Sequence, residues 1–291
     1  MREPYRHFTQ VDVFTTRPLA GNALAVFESG AGLSTARMQA IAREMNLSET
    51  TFLLDPAVRN ADARVRIFTP FEELPFAGHP TLGTAYVVAK RRRLQEVRLQ
   101  MKAGVIPVQV DRRKAGVYLE MGQNDPVFGA TVAPDRLARA IGLTPSDLDA
   151  RVPPQVVSTG LPFLIVPLRT TAALQRLAPD YHELMPMLRE EAGVFLPYYL
   201  VTGESNLEAR MFGPNFDDPG TGSAAGCAAT YLVRYGLRPP GRTLEISQGR
   251  LLKRPCRIYA RAGRDGAGRD GDVRVGGYVV ESLQGSLLVN V

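Results

Sequence analysis

The first part of the chain mixes apolar and polar positions with the short period of a strand. Phe8, Val11 and Val13 are interspersed with polar residues, a turn-rich stretch follows at 17–21, and residues 22–27 are mostly apolar. This pattern predicts a β-hairpin with a wide turn.

The pattern then changes to that of a helix. Between Ser34 and Met45, apolar residues recur every three or four positions, and Ser34 is a suitable N-cap. Residues 46–48 are predicted to end this helix, and residues 50–54 to form a strand.

Downstream, short β-type runs outnumber helical ones. The predicted strands are 97–101, 105–110, 116–121, 155–158, 163–166, 194–200 and 207–212, and short helices are predicted near residues 137, 174 and 184. The tail is rich in β-type residues around a glycine-rich loop at 263–271, and residues 122–126 are the best linker candidate. Many strands and few helices indicate an α+β protein and not a doubly wound parallel sheet.

The chain also contains an internal repeat, because residues 66–88 align without a gap on residues 210–232. The matched pairs are Arg66/Arg210, Phe68/Phe212, Pro70/Pro214, Pro75/Pro219, Gly78/Gly222 and Ala85/Ala229, and Glu73 lies opposite Asp217. Average composition would give roughly one or two identities over such a span. The repeat predicts two halves of similar architecture.

Each copy runs from a β-stretch through an acidic, proline-marked loop to a glycine and a helix of small residues. A glycine at a helix start leaves backbone N–H groups pointing outward at the positive end of the helix dipole, which is a site for anions. Gly78 and Gly222 therefore predict two anion-binding helix starts. Facing each other, they would hold one small anionic substrate between two halves.

Composition and charge exclude several classes of protein. The chain of 291 residues carries a net charge of +6, but its only dense basic run is at residues 90–93, at the end of a predicted helix. Cations there complement the helix dipole, and no groove-reading element points to nucleic acid. No apolar window is long enough for a membrane span or a signal peptide, so the expected compartment is the cytoplasm.

His79 and Glu49 are the first candidates for chemistry. His79 follows Gly78 in the first turn of a predicted helix, where free N–H groups should lower the pKa of the ring and keep it neutral. Glu49 lies where a helix ends and a strand begins, so partial desolvation would raise its pKa toward the range of a general acid/base. From the residues alone, a capping histidine and an ordinary surface glutamate remain open alternatives.

Residues 217–223 form a second candidate, with two acids, two glycines and two hydroxyls in seven positions. Of the adjacent Asp217 and Asp218, one is expected to point toward substrate, and Ser223 occupies the same place in the repeat as His79. The stretch is not a phosphate loop and not a nucleophile elbow. The chain also lacks metal-ligand spacings and a nicotinamide or flavin fingerprint, so no metal or cofactor is expected.

Five stretches of the chain resemble the phenazine-biosynthesis PhzF family, which shares its fold with diaminopimelate epimerase. They are VDVFTTRPLAGNALAVF, NLSETTFLL, FTPFEELPFAGHPTLG, RMFGPNFDDPGTGSAAG and VGGYVVESLQGSLLV. The resemblance implies an α+β fold of two pseudo-symmetric domains, each a β-sheet wrapped around a central helix, with the active site in the cleft between them. The implied domains are residues 1–124, joined by the last strand at 279–291, and residues 125–278, and the family's habit implies a homodimer.

The resemblance also implies roles for individual residues. The family's catalytic glutamate falls on Glu49, which would take a proton from an acidic carbon and return it elsewhere on the substrate. His79, Asp218 and Ser223 match the family's helper residues, and no cofactor or metal takes part.

Substrate binding is implied for three further positions. The amides of Gly78 and Gly222 would hold the substrate carboxylate, and Asn22 matches a Gly-Asn turn that lines the cleft. The epimerase relatives use two cysteines at the helix starts, and Cys227 and Cys256 lie elsewhere, so a two-thiol racemase is disfavoured.

These observations predict a cofactor-independent isomerase of a small carboxylate, of the trans-2,3-dihydro-3-hydroxyanthranilate isomerase type. Two alternatives are a non-catalytic small-molecule-binding protein on the same scaffold, and a one-base racemase or epimerase of an amino acid.

Overall fold

The computed structural model describes residues 5–194 and 196–289. The strands are β1 (Tyr5–Val13), β2 (Asn22–Phe27), β3 (Glu49–Leu54), β4 (Ala63–Phe68), β5 (Glu73–Leu74), β6 (Glu96–Met101), β7 (Gly104–Arg113), β8 (Gly116–Gly122), β9 (Val127–Thr131), β10 (Gln155–Ser158), β11 (Pro162–Leu168), β12 (Pro197–Val201), β13 (Leu207–Gly213), β14 (Phe216–Asp218), β15 (Leu244–Gln248), β16 (Cys256–Arg264) and β17 (Asp270–Leu288). The helices are α1 (Thr35–Met45), α2 (Gly78–Arg92), α3 (Pro134–Ala140), α4 (Thr171–Arg176), α5 (Tyr181–Met187) and α6 (Gly222–Arg234).

The contacts divide the chain into two compact units. Unit 1 comprises Met1–Gly122 with Gly276–Val291, and unit 2 comprises Gln123–Val275. The long strand β17 passes from unit 2 into unit 1. None of the helices described is long and apolar enough to cross a membrane.

Unit 1 is a ring of strands around one helix. The pairing order is β17, β1, β2, β3, β4, β6, β7 and β8, and β8 pairs with β17 to close the ring. Helix α2 packs inside against six of these strands, and its side chains are buried almost without interruption from Gly78 to Ala89. A helix that is surrounded by a sheet must be apolar or small on all sides, which explains the composition of α2.

Unit 2 repeats the same pairing scheme. Its strand pairs are, in order, antiparallel β10–β11, parallel β11–β12, antiparallel β12–β13, parallel β13–β15 and antiparallel β15–β16. Unit 1 shows the same order of antiparallel and parallel pairs in β1–β2, β2–β3, β3–β4, β4–β6 and β6–β7. Helix α6 is buried along most of its length and packs on β10, β11 and β16. The prediction of two similar halves, each with a central helix, is confirmed.

Several local predictions are also confirmed. β1 and β2 form the expected antiparallel hairpin, and the Ser34 side chain accepts a hydrogen bond from the Arg37 amide at the start of α1. The two acidic segments are not simple loops, however, because each contains a short strand that returns along the strand before it: β5 along β4, and β14 along β13.

An arginine–acid pair holds each of these short hairpins. The guanidinium of Arg66 donates two hydrogen bonds to Glu73, both of 2.8 Å, and that of Arg210 donates two to Asp217, of 2.6 and 3.0 Å. Arg210 also lies over the ring of Phe212, with 4.0 Å from its guanidinium carbon to the ring centroid. The repeated Arg, Phe and acid positions therefore encode one structural device used twice.

Replacing Arg210 by methionine should lower the free energy of unfolding by roughly 1–2 kcal/mol, because a partly buried ion pair with two hydrogen bonds to Oδ2 of Asp217 and a cation–π contact are lost together. The matched control is Arg257→Met, since the Arg257 side chain is 72% exposed and its pair with Glu245 is 3.6 Å long. The control should change stability by less than about 0.5 kcal/mol. Urea denaturation measures the free energy of unfolding of both variants. If Arg210→Met loses no more stability than Arg257→Met, the ion pair of Arg210 and Asp217 does not stabilise the protein.

Candidate active site

Glu49 is placed by the meeting of three elements of unit 1. Helix α1 is capped by Asn46, whose φ of 49° lies in the left-handed region and turns the chain toward β3. Glu49 is the first residue of β3 and pairs with Leu24 on the parallel strand β2. Two residues later, the Thr51 hydroxyl lies 2.9 Å from the Thr84 hydroxyl and ties β3 to the central helix.

Asn22 reaches the same place from the turn before β2. The preceding Gly21 has a φ of +69°, and a Cβ there would lie 2.4 Å from the carbonyl oxygen of Val13. Only glycine allows this close turn. The turn delivers Asn22 into the interior at 1% exposure, with its Nδ2 atom 3.2 Å from Nδ1 of His79.

His79 is the second residue of α2 and is 4% exposed. Its Nε2 atom lies 3.4 Å from Oε2 of Glu49, and neither of these two atoms is accessible to solvent. Burial lowers the pKa of His79 to about 3, while a hydrogen bond with the backbone of Ala23 opposes the shift. The ring is therefore neutral, as the sequence predicts, but burial is the main cause and not the helix dipole.

The beginning of α2 has the form expected of an anion site. Its N-cap residue is Ala77, and no side chain among the described residues caps the helix. The amides of Gly78 and His79 belong to the first turn, which has no carbonyl partners within a helix. Asn22, Glu49, Gly78 and His79 are thus brought together in unit 1.

In unit 2, the start of α6 carries a second polar group around Asp218. Oδ2 of Asp218 accepts a hydrogen bond of 2.6 Å from the hydroxyl of Thr221, the residue before the helix. Gly222 and Ser223 are the first two residues of α6, and Ser223 is only partly buried. The predicted residues Asp218, Gly222 and Ser223 therefore lie in one short stretch of the fold.

The adjacent acids have separate tasks. Asp217 pairs with Arg210, so its place in the repeat has a structural explanation. Asp218 faces the opposite side of β14 and belongs to the helix-start group. Strand alternation separates the two carboxylates.

The two units differ at the position of the glutamate. Phe52 on β3 pairs with Arg66, and Tyr199 on β12 pairs with the equivalent Arg210. Phe52 and Tyr199 are therefore equivalent positions. Glu49 lies three residues before Phe52, and Leu196 lies three residues before Tyr199, so Leu196 occupies the position of Glu49 in unit 2. Unit 2 therefore does not repeat the glutamate–histidine pair.

The cysteines are unsuited to proton transfer. Both are buried, and burial raises the pKa of the Cys227 thiol to about 11. A thiol in such surroundings stays protonated and unreactive near neutral pH. Within residues 5–194 and 196–289, no cluster of three or more His, Cys, Asp and Glu side chains has the arrangement of a metal site.

Sequence reasoning missed Gln248 and the contact role of Thr221. Gln248 ends β15, is 0% exposed, and contacts both Asp218 and Thr221. One signal was available, because Leu244, Ile246 and Gln248 alternate along a strand and the period places a glutamine on the inward face. Its partners could not be inferred, since they lie about 30 residues away.

Comparison with known proteins supports this description of the fold. The family model of phenazine biosynthesis-like proteins, PhzC-PhzF, matches residues 11–285. The trans-2,3-dihydro-3-hydroxyanthranilate isomerase of Pseudomonas aeruginosa is 39% identical over 265 residues, which cover 90% of this chain and 91% of the relative.

Two solved structures share the architecture. One is described as a predicted epimerase from Pseudomonas aeruginosa, with a TM-score of 0.86 and 39% identity over 98% of this chain and 100% of that one. The other is a hydroxyproline epimerase from Agrobacterium vitis, with a TM-score of 0.70 and 11% identity over 100% of this chain and 94% of that one, so the likeness there is one of fold.

The fold class predicted from the sequence, α+β and similar to diaminopimelate epimerase, is confirmed, and the relatives identify an enzyme of the isomerase class. The chain belongs to the PhzC-PhzF family of phenazine biosynthesis-like proteins.

Proposed function

We propose that the protein moves one proton between two carbons of a small unsaturated carboxylate, with Glu49 as the group that takes and returns it. The reaction is of the trans-2,3-dihydro-3-hydroxyanthranilate isomerase type, the activity named for the relative that is 39% identical. The observation that best supports this proposal is the pair formed by Glu49 and a buried, neutral His79 at the start of a central helix, with 3.4 Å between Oε2 of the glutamate and Nε2 of the histidine.

A neutral histidine suits a glutamate that changes its charge during the reaction. Nδ2 of Asn22 faces Nδ1, which places the ring proton on Nε2, where His79 can donate to the Glu49 carboxylate when the 3.4 Å separation shortens. With the Asn22 amide turned so that its oxygen faces Nδ1, the ring proton lies on Nδ1 and Nε2 accepts the proton of a protonated Glu49. The same imidazole can therefore stabilise both states of the proton carrier without titrating itself.

Substrate binding is assigned to the backbone amides of Gly78 and Gly222, with the Ser223 hydroxyl as a further donor. Donors at a helix start favour a negative group such as a carboxylate, and the positive end of the dipole adds to the attraction. Asp218 and His79 are assigned to the amino or hydroxyl groups of the substrate. Removing a proton next to a conjugated system spreads the negative charge, so the step needs no metal or cofactor in this proposal.

One carboxyl group is expected to carry out both proton transfers. Leu196 stands at the unit 2 position equivalent to Glu49, and the Cys227 thiol is buried and protonated. Neither supplies a second base, so the residues favour a single shuttling acid over the two-thiol chemistry of epimerases.

The test is proton NMR of the protein with trans-2,3-dihydro-3-hydroxyanthranilate in deuterium oxide. We expect a new isomer in which part of the product keeps substrate-derived protium at the accepting carbon, because one shielded carboxyl group removes and returns the proton. Proline and a panel of free amino acids are added separately. Solvent deuterium at their Cα with inversion would identify a racemase, and binding without exchange on any compound would identify a binding protein.

A further inference from the structure

Gln248 uses all the hydrogen-bonding capacity of its side-chain amide. Nε2 donates to the carbonyl oxygen of Asp218 at 2.8 Å and to the Thr221 hydroxyl at 2.9 Å. Oε1 accepts from the Thr221 amide and from the Tyr198 hydroxyl, both at 3.2 Å. An amide has two N–H bonds to give and an oxygen with two lone pairs, so this side chain is fully satisfied.

These partners allow only one orientation of the amide. Turned over, Oε1 would face the Asp218 carbonyl oxygen and Nε2 would face the Thr221 N–H, which would set acceptor against acceptor and donor against donor. Burial raises the pKa of Tyr198 above its ordinary value, so that hydroxyl remains a donor. The direction of every hydrogen bond in the group is thereby determined.

The direction matters for the Asp218 carboxylate. The Thr221 hydroxyl has one proton, and it already accepts from Gln248. Its proton therefore goes to Oδ2 of Asp218, 2.6 Å away. Gln248 thus determines both where the 218–221 segment lies and which way the Thr221 hydroxyl donates.

The end of β15 is built for this close approach. Gly249 has a φ of +77°, and a Cβ there would lie 2.6 Å from the carbonyl oxygen of Pro219 and 2.3 Å from that of Arg254. The residue after Gln248 must therefore be a glycine for the strand end to press against the 218–221 segment.

Unit 1 lacks this device. In unit 2, Leu207 on β13 pairs with Ile246 on β15, and in unit 1 the equivalent Ala63 on β4 pairs with Leu99 on β6. Ile246 therefore corresponds to Leu99. Two residues further along these strands, Gln248 corresponds to Met101. The Met101 sulfur accepts a hydrogen bond of 3.6 Å from the hydroxyl of Thr81 inside α2. The buried amide is therefore particular to the unit that carries Asp218.

From this geometry we infer that Gln248 is a positioning residue, which orients Asp218 toward substrate through the hydroxyl of Thr221. The inference rests on the proposed role of Asp218 in substrate binding. Gln248 itself is fully buried and touches no reacting atom in this scheme.

The test is a double-mutant cycle on the turnover of trans-2,3-dihydro-3-hydroxyanthranilate, with Gln248→Met and Asp218→Asn. In the wild-type background Gln248→Met should lower kcat by about 10–100-fold, as a misplaced group does. In the Asp218→Asn background the same change should lower kcat by less than about twofold, since the residue it acts through is already altered. Equal factors in both backgrounds would overturn the inference, because general damage to unit 2 would act on both.

Two further variants separate positioning from folding. Thr221→Val removes only the hydroxyl and should reproduce the loss of kcat, while Thr221→Ser keeps the hydroxyl and should restore most of it. Ile246→Val, on the same strand and the same buried face, is the stability control, and its kcat should stay within about twofold of wild type at a reduced melting temperature. A full loss in Thr221→Ser, or none in Thr221→Val, contradicts the proposal even if Gln248→Met does not fold.

A crystal structure makes the result independent of the proposed function. If the wild type fails to convert the substrate, the proposed function fails, and the position of Asp218 decides the inference. Loss of the Thr221–Asp218 hydrogen bond in Gln248→Met supports it, and retention of that bond in an unshifted segment overturns it.

Discussion

Glu49→Gln should lower kcat on trans-2,3-dihydro-3-hydroxyanthranilate by about 10²–10⁴-fold, the range that general acid–base catalysis contributes. Glutamine has the shape of glutamate and can still face the Nε2 atom of His79, but its amide cannot take up and release a proton. The loss should fall on kcat, and it should persist at saturating substrate. Initial rates from NMR or ultraviolet absorbance measure it.

The matched control is Glu44→Gln, which makes the same chemical change on the exposed face of α1. It should leave kcat within about twofold of wild type. Glu49→Asp keeps the carboxyl group but draws it back by one methylene, so we expect an intermediate rate. A Glu49→Gln protein that turns over within about threefold of wild type would remove the glutamate from the mechanism.

Binding should survive the same substitution. The proposed carboxylate donors are backbone amides at helix starts, and Glu49→Gln leaves them in place. A stable aromatic carboxylate such as 3-hydroxyanthranilate should therefore bind wild type and variant with dissociation constants within about fivefold, because no ion pair to the ligand is removed. Calorimetric titration measures this, and a complete loss of binding would assign Glu49 to ligand recognition instead of proton transfer.

Much of the fold could be predicted because its signals are local. The helical period before Met45, the Ser34 cap and the hairpin of β1 and β2 follow from neighbouring residues. The repeat between 66–88 and 210–232 added the long-range information that two similar halves exist. The short strands β5 and β14 were missed, since what holds them is an ion pair across the hairpin and not a run of β-type residues.

The candidate site could be predicted only where residues adjoin an element boundary. His79 and Glu49 stand at a helix start and a strand start, and the resemblance to a known family supplied their roles. From the residues alone the tasks of Asp217 and Asp218 could not be separated, because the separation depends on their contacts with Arg210 and Thr221, and only the family resemblance singled out Asp218. The role of Gln248 could not be predicted, since its four partner atoms belong to two segments distant in sequence, β12 and residues 218–221.

The buried His79 should make the protein lose stability as the pH falls below about 6.5. In the native state the pKa of this ring is about 3, because burial disfavours its charged form, whereas the unfolded chain takes up the proton near pH 6.5. Between these values the unfolded state binds more protons, so stability rises with pH by up to about 1.4 kcal/mol per unit. At pH 4.5 the contribution lost should be roughly 2–3 kcal/mol.

His79→Gln removes this contribution, so its stability should fall less steeply than that of wild type between pH 7 and pH 4.5. The control is His182→Gln, because His182 is exposed and the slope should not change. Urea denaturation at several pH values gives the slope of stability against pH for each protein. The carboxyl groups that also titrate in acid contribute equally to variant and wild type, so the difference between the two slopes reports His79 alone.

The pH dependence of the reaction rate should show no transition near pH 6.5 from His79, because the ring stays neutral there. A wild-type slope equal to that of His79→Gln would mean that His79 takes up a proton in the native state below about pH 6.5. The shuttle would then work beside a cation in that range, which favours an ionised Glu49 and opposes its uptake of a proton from the substrate carbon.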